Sequence, residues 1–140
     1  MFLQSPSYRA LVHNAFRIAA GAAFCTHGGQ KLFGWFGADG PRIEPVEFLM
    51  AGVLEFVGGL AIVLGLFTQP IALVLAGEMA VAYFWKHMLG RETISVWWWG
   101  NRGELAMLFC FVWLFFSAHG AGSLSVDAWL ARRRGSAPAP

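Results

Sequence analysis

Four long stretches of this chain, at about residues 10–33, 46–67, 71–89 and 101–118, are apolar and poor in charge. Each reaches the roughly twenty residues that a helix needs to cross a hydrocarbon core. Lipid offers backbone groups no partners, so such stretches must pair their own N–H and C=O groups, and helices do this. The joints are short and carry turn residues: Gly-Ala-Asp-Gly-Pro, Thr-Gln-Pro and Gly-Arg-Glu-Thr. Short joints make successive helices antiparallel neighbours. The expected fold is all-α, an integral membrane antiparallel four-helix bundle forming a single domain over residues 1–140. Composition agrees, with 57% hydrophobic and 13% charged residues against about 25% charged in soluble domains. No stretch is polar enough for a separate soluble module, and no internal repeat is visible.

The opening Met-Phe-Leu-Gln-Ser-Pro lacks the basic start and short apolar core of a cleaved signal, so the first apolar stretch is expected to stay as an anchor. Cations are split between the two ends of the spans. Arg9 and Arg132, Arg133 and Arg134 lie on one side, whereas Lys31, Arg42, Lys86, Arg91 and Arg102 lie on the other. The compact arginine cluster, with Asp39, Glu44, Glu47 and Glu92 among the opposite charges, favours cytoplasmic termini and a multi-pass inner-membrane protein. Residues 123–140 read as a short interfacial segment and a basic tail, with Val126, Trp129 and Leu130 on one helical face. The tryptophans, including Trp97, Trp98 and Trp99, read as interface anchors.

Depth along the spans sorts the remaining polar residues into two tiers. Arg17, Glu55 and Glu78 form a central tier, and intramembrane charges face the bundle and pair there. Arg17 is expected to reach Glu55 or Glu78, as a structural ion pair or as part of a proton-carrying network. Gly52 and Gly59 share the face of Glu55, the small-residue face on which helices approach closely. His27, Gln30 and Lys31 end the first span where the third ends with Lys86 and His87 and the fourth begins with Asn101 and Glu104. This outer tier forms a polar cluster from three helices, at a level where quinone headgroups and interfacial water are available. Taken singly, Lys31, Lys86 and Arg102 also fit as snorkelling anchors. Cys25 and Cys110 form no C-x-x-C pair and read as packing residues. His13 and His27 have a spacing that could suit two stacked haems, but His87 and His119 lie on other helices and make awkward partners, so haem is disfavoured.

The stretches "HGGQKLFGWFG", "FLMAGVLEFVGGLAIVLGLFTQP", "LAGEMAVAYFWKH" and "NRGELAMLFCFVWL" resemble the DoxX family of small four-span bacterial membrane proteins over nearly the whole chain. The resemblance implies a redox association, since members are similar to or linked with the membrane subunit of thiosulfate:quinone oxidoreductase and related complexes. It carries over His27, Gln30, Lys31, Glu55, Glu78, His87, Asn101 and Glu104 as motif positions, without established catalytic roles. The expected function is a quinone-linked membrane subunit of a bacterial oxidoreductase. His27 and Glu104 would exchange protons, Gln30, Lys31, His87 and Asn101 would line the headgroup site, and Glu55 and Glu78 would tune or relay protons. A quinone is the candidate substrate, with no firmly bound cofactor and no metal. No flavin fold, iron–sulfur ligand set or dehydrogenase motif is present in the sequence, so electrons must come from another subunit. Expected partners are the lipid bilayer and other membrane-protein subunits, and not nucleic acid. The alternatives are a non-catalytic accessory or assembly subunit and, with less support, a small-molecule transporter, for which four helices without repeated halves are poorly suited.

Overall fold

A computed structural model describes residues 5–37, 40–42, 44–90 and 94–135. Asp39, Arg91 and Glu92 of the charge count, and residues 136–140 of the basic tail, lie outside these. Among the described residues there are six α-helices and no strand. They are α1 (Pro6–Phe33), α2 (Val46–Leu64), α3 (Thr68–Val81), α4 (Trp98–Asn101), α5 (Glu104–His119) and α6 (Val126–Arg133). A π-helical segment, Ala82–Leu89, prolongs α3. The fold is all-α, as expected. By length and composition α2 is the one helix among the described residues that is long and apolar enough to cross a membrane, and α5 is apolar but shorter.

Local chemistry sets the helix ends. Ser5 caps α1 by accepting the Tyr8 N–H at 3.2 Å, with Pro6 in the first turn, where a missing N–H costs nothing. Gly65 closes α2 in the left-handed region at φ 67°, with its own N–H and that of Leu66 returning to Ile62 and Ala61. The chain therefore turns at residues 65–67, and Thr68-Gln69-Pro70 forms the first turn of α3, not the joint that its composition suggests. The turn is possible because first-turn N–H groups lack intrahelical partners: Pro70 has none to lose, and Asp127 of α6 accepts those of Phe67 and Thr68 at 2.8 and 2.9 Å.

The helices pack by three different means. On α1 and α2, glycines bring backbone onto backbone, so that a Cβ on Gly28 would lie 2.3 Å from the Phe56 nitrogen and one on Gly59 2.6 Å from that of Cys25. Between α3 and α5, Ala72, Leu75, Ala76 and Met79 interdigitate with Ala106, Trp113 and Phe116. Across α1 and α5, aromatic rings act as spacers, with Phe24 edge-on to Trp113 at 5.0 Å and Phe16 beside Phe116 at 5.1 Å. Contact between α2 and α3 is sparser. Leu75 lies against Gly58 near the turn, and a groove runs between the two helices farther from it.

Arg17, expected to meet a carboxylate of the central tier, does something else. Fully buried, it donates from Nε to Ala121 O (2.7 Å), from one terminal nitrogen to Ile62 O and Val63 O (2.5 and 2.6 Å) and from the other to Leu124 O (2.5 Å). The acceptors lie at the C-terminal end of α2, where unpaired carbonyls and the helix dipole attract a cation, and in the α5–α6 connection. The carboxylate that acts on Arg17 electrostatically is that of Asp127, not Glu55 or Glu78. Asn14 adds to the same knot, donating to Ser123 and accepting the Leu124 N–H.

Two outcomes follow for protein purified in mild detergent. Arg17→Leu strands buried carbonyls at about 1–3 kcal/mol each, so its thermal midpoint and yield should fall far below those of Lys86→Ala, which alters an exposed side chain. Gly28→Val should abolish accumulation by forcing α1 from α2, whereas Gly77→Ala, with no atom in the way, should keep or raise the midpoint by gaining up to about 1 kcal/mol of helix propensity.

Candidate functional site

Where α2 and α3 diverge they enclose a groove of 680 Å³. Its walls are mostly apolar, with Met50, Leu54, Val74 and Val81 among them, and its floor carries Glu55, Glu78 and Lys31. Helical phase puts Glu55 there: Gly52 and Gly59 turn the same side of α2 toward α1, and Lys31 reaches across from the last turn of α1. Its Nζ donates to Glu55 Oε1 at 2.5 Å, with only 4% of the Glu55 side chain exposed. The second Glu55 oxygen and both Glu78 oxygens are buried without a hydrogen-bond partner. Glu78 interacts electrostatically with Glu55 and Lys31. Two carboxyl groups thus face one ammonium, and a low-dielectric floor needs one more positive charge for neutrality, supplied by a proton or a ligand. At the rim, Lys86 of the π-helical segment donates to Glu47 at 3.3 Å and lies 5.0 Å from the Phe48 ring centre.

The outer-tier residues do not converge on one site. His27 packs edge-on to Phe109 at 6.1 Å, between α1 and α5, within electrostatic reach of Glu55. The Gln30 backbone carbonyl accepts the Gly34 N–H that closes α1. The buried Asn101 amide donates to Ser95 O at 2.9 Å and accepts the Gly103 N–H at 2.7 Å, so both ends are engaged in shaping the α4–α5 corner. Nδ1 of His87 faces the Asn101 carbonyl at 3.2 Å. Glu104 is exposed and lines a separate cavity with Trp98, Trp99, Arg102, Leu105 and Leu108. His27 and Glu104, paired for proton exchange on sequence grounds, therefore stand apart: one residue's helical phase points it between α1 and α5, the other's away from the packed interior. Of the predicted residues, the structure brings Lys31, Glu55 and Glu78 together in the groove, and His87 against the Asn101 backbone away from it.

Sequence reasoning counted Glu47 only as an outer-side charge and passed over Asp127. Glu47 precedes Glu55 by eight residues, just over two helical turns, so the same face carries both, and that spacing is a usable signal. Asp127 reads as an ordinary first-turn acid of α6, and nothing local shows that it caps another helix. Among the described residues, no group of three or more His, Cys, Asp or Glu side chains could hold a metal ion.

A family model described as DoxX matches residues 13–88, which include α2, α3, the π-helical segment up to Met88 and every charged residue of the groove. A Haemophilus influenzae protein described as uncharacterized is 36% identical over 126 residues, spanning 86% of this chain and 91% of that one. No solved structure matches the chain.

The Lys31–Glu55 contact can be tested by a double-mutant cycle in detergent. Lys31→Met alone leaves a buried carboxylate without its cation and should cost about 3–5 kcal/mol. Adding Glu55→Gln should recover most of that loss. If the double variant is as unstable as the sum of the single ones, the two groups are not coupled.

Proposed function

The chain belongs to the DoxX family, and from that premise we propose that it is a four-span inner-membrane protein, both termini cytoplasmic, that serves as the quinone-linked subunit of an oxidoreductase. Its surface supports the membrane reading. Leu11, Val57, Val81 and Phe111 are 59–66% exposed while Arg17 and Glu55 are buried, the reverse of a water-soluble domain. The observation that carries the functional reading is the groove: a lateral opening between apolar walls with three unpartnered carboxylate oxygens at its floor.

A quinone suits both parts. Its isoprenoid chain would lie along Met50, Leu54, Val74 and Val81, and its ring would reach Glu55, Glu78 and Lys31. Reduction of a quinone to a quinol consumes two electrons and two protons. The electrons would come from a redox-active partner subunit; the protonated member of the Glu55–Glu78 pair would hand over the first proton and the pair, reprotonated from water, the second, with Lys31 orienting the nearer ring oxygen. Proton exchange moves in this reading from His27 and Glu104 to Glu55 and Glu78, and His27 supports Glu55 from behind.

Glu78→Gln is the discriminating variant, because it removes an ionisable group that makes no hydrogen bond. Protein abundance and thermal midpoint should hold or rise, while quinone-dependent turnover in membranes containing the native partners should fall by about 10²-fold or more. His27→Asn and Glu104→Gln should retain turnover. Unimpaired turnover in Glu78→Gln and Glu55→Gln would overturn the quinone reading and leave a non-catalytic accessory subunit.

A further inference from the structure

The α4–α5 corner is built with more care than a connection requires. Asn101 is completely buried, and its side chain ties Ser95 to Gly103. This holds Arg102 in the left-handed region at φ 59°, a conformation that a residue with a side chain rarely adopts. A glycine there would relieve the strain, yet the position carries a guanidinium. Two residues on, the exposed Glu104 opens α5. Among the described residues neither the Arg102 nor the Glu104 side chain has an ion-pair or hydrogen-bond partner. Both line a cavity of 560 Å³ whose other walls are Trp98, Trp99, Leu105 and Leu108. Leu105 and Leu108 are a turn apart on α5 and half exposed, and Trp99 is 67% exposed.

A cation and an anion two residues apart, neither side chain paired, line one cavity with an apolar strip and a pair of indoles packed edge to face at 5.4 Å, and this set of groups matches the parts of one kind of molecule. We propose that this corner is a binding site for a zwitterionic phospholipid, with the phosphate on Arg102, the primary ammonium of an ethanolamine head on Glu104 and an acyl chain along Leu105 and Leu108. Arg102 and the phosphate form the charge-assisted pair for which guanidinium geometry is suited, and Glu104 accepts the ammonium N–H bonds. The indoles border the head at the level where tryptophan prefers the membrane interface. An anionic head without the ammonium would leave Glu104 facing a phosphate of like charge, so the site discriminates by head and not by chain. The site is separate from the α2–α3 groove and rests on the membrane reading above, not on the quinone.

The test is native mass spectrometry of the detergent-purified protein incubated with equal amounts of phosphatidylethanolamine and phosphatidylglycerol bearing identical acyl chains. Phosphatidylethanolamine adducts should exceed phosphatidylglycerol adducts by about fivefold, the ratio that one exposed charge contact supplies. Arg102→Gln should remove both adducts, and Glu104→Gln should bring the ratio to about one. Glu104→Lys should reverse the order, a result that misfolding cannot produce. Equal or greater retention of phosphatidylglycerol by the unaltered protein, or an unchanged ratio in both Glu104 variants, overturns the site. Cell fractionation keeps the two claims apart: protein recovered in the soluble fraction would overturn the membrane reading itself.

Discussion

Everything at the turn end of the molecule is organised by one buried guanidinium. Arg17 projects from α1 and donates to the carbonyls of Ile62, Val63, Ala121 and Leu124, joining α1, the end of α2 and the connection to α6. A planar group with five N–H donors can serve acceptors from several directions, which an ammonium on a flexible stem does less well. Asp127 completes the arrangement. It caps α3 through Phe67 and Thr68, while its own N–H reaches Gly65 O at 2.9 Å. Three helices and the tail segment are thus closed at one end by charge-assisted bonds, leaving the other end to be shaped by side-chain size.

That division explains the groove. Glycines let α1 and α2 touch, and small residues on α3 interlock with α5, but α1 and α5 are held apart by rings of phenylalanine and tryptophan. Two tight pairs separated by bulky spacers cannot also close tightly on the α2–α3 side, and that side remains open beyond the Gly58–Leu75 contact. The carboxyl groups of Glu55 and Glu78 stand in the gap. Burying carboxylate oxygens without partners, as with one of Glu55 and both of Glu78, costs free energy, and residues kept under that cost are candidates for chemistry, not stability.

The helices themselves were largely legible. Apolar runs and the glycines of the joints speak through local geometry, which a linear reading can follow, although α1 begins at Pro6, ahead of the expected start at about residue 10. The inward phase of Glu55 was legible for the same reason, since Gly52 and Gly59 mark its face. The partner of Arg17 was not. Depth alone placed Arg17 nearest to carboxylates, but its bonds run to backbone carbonyls, and carbonyls are present at every position and leave no mark in a sequence. Asn101 misled in a similar way, because a buried amide that shapes a corner looks like one that binds a ligand until its own partners are seen.

By itself, then, the sequence determined which segments become helices, which face of each carries glycine or charge, and that polar groups must collect inside an apolar exterior, all consequences of periodicity and solvation over a few turns. Only the tertiary structure decided which charges meet. Lys31 took Glu55, Arg17 took the end of α2, and His27 and Glu104 were sent to different surfaces. The reason is geometric: rotation and tilt of one helix against another depend on the summed bulk of side chains from several segments, and a change of a few ångströms exchanges one hydrogen-bond partner for another.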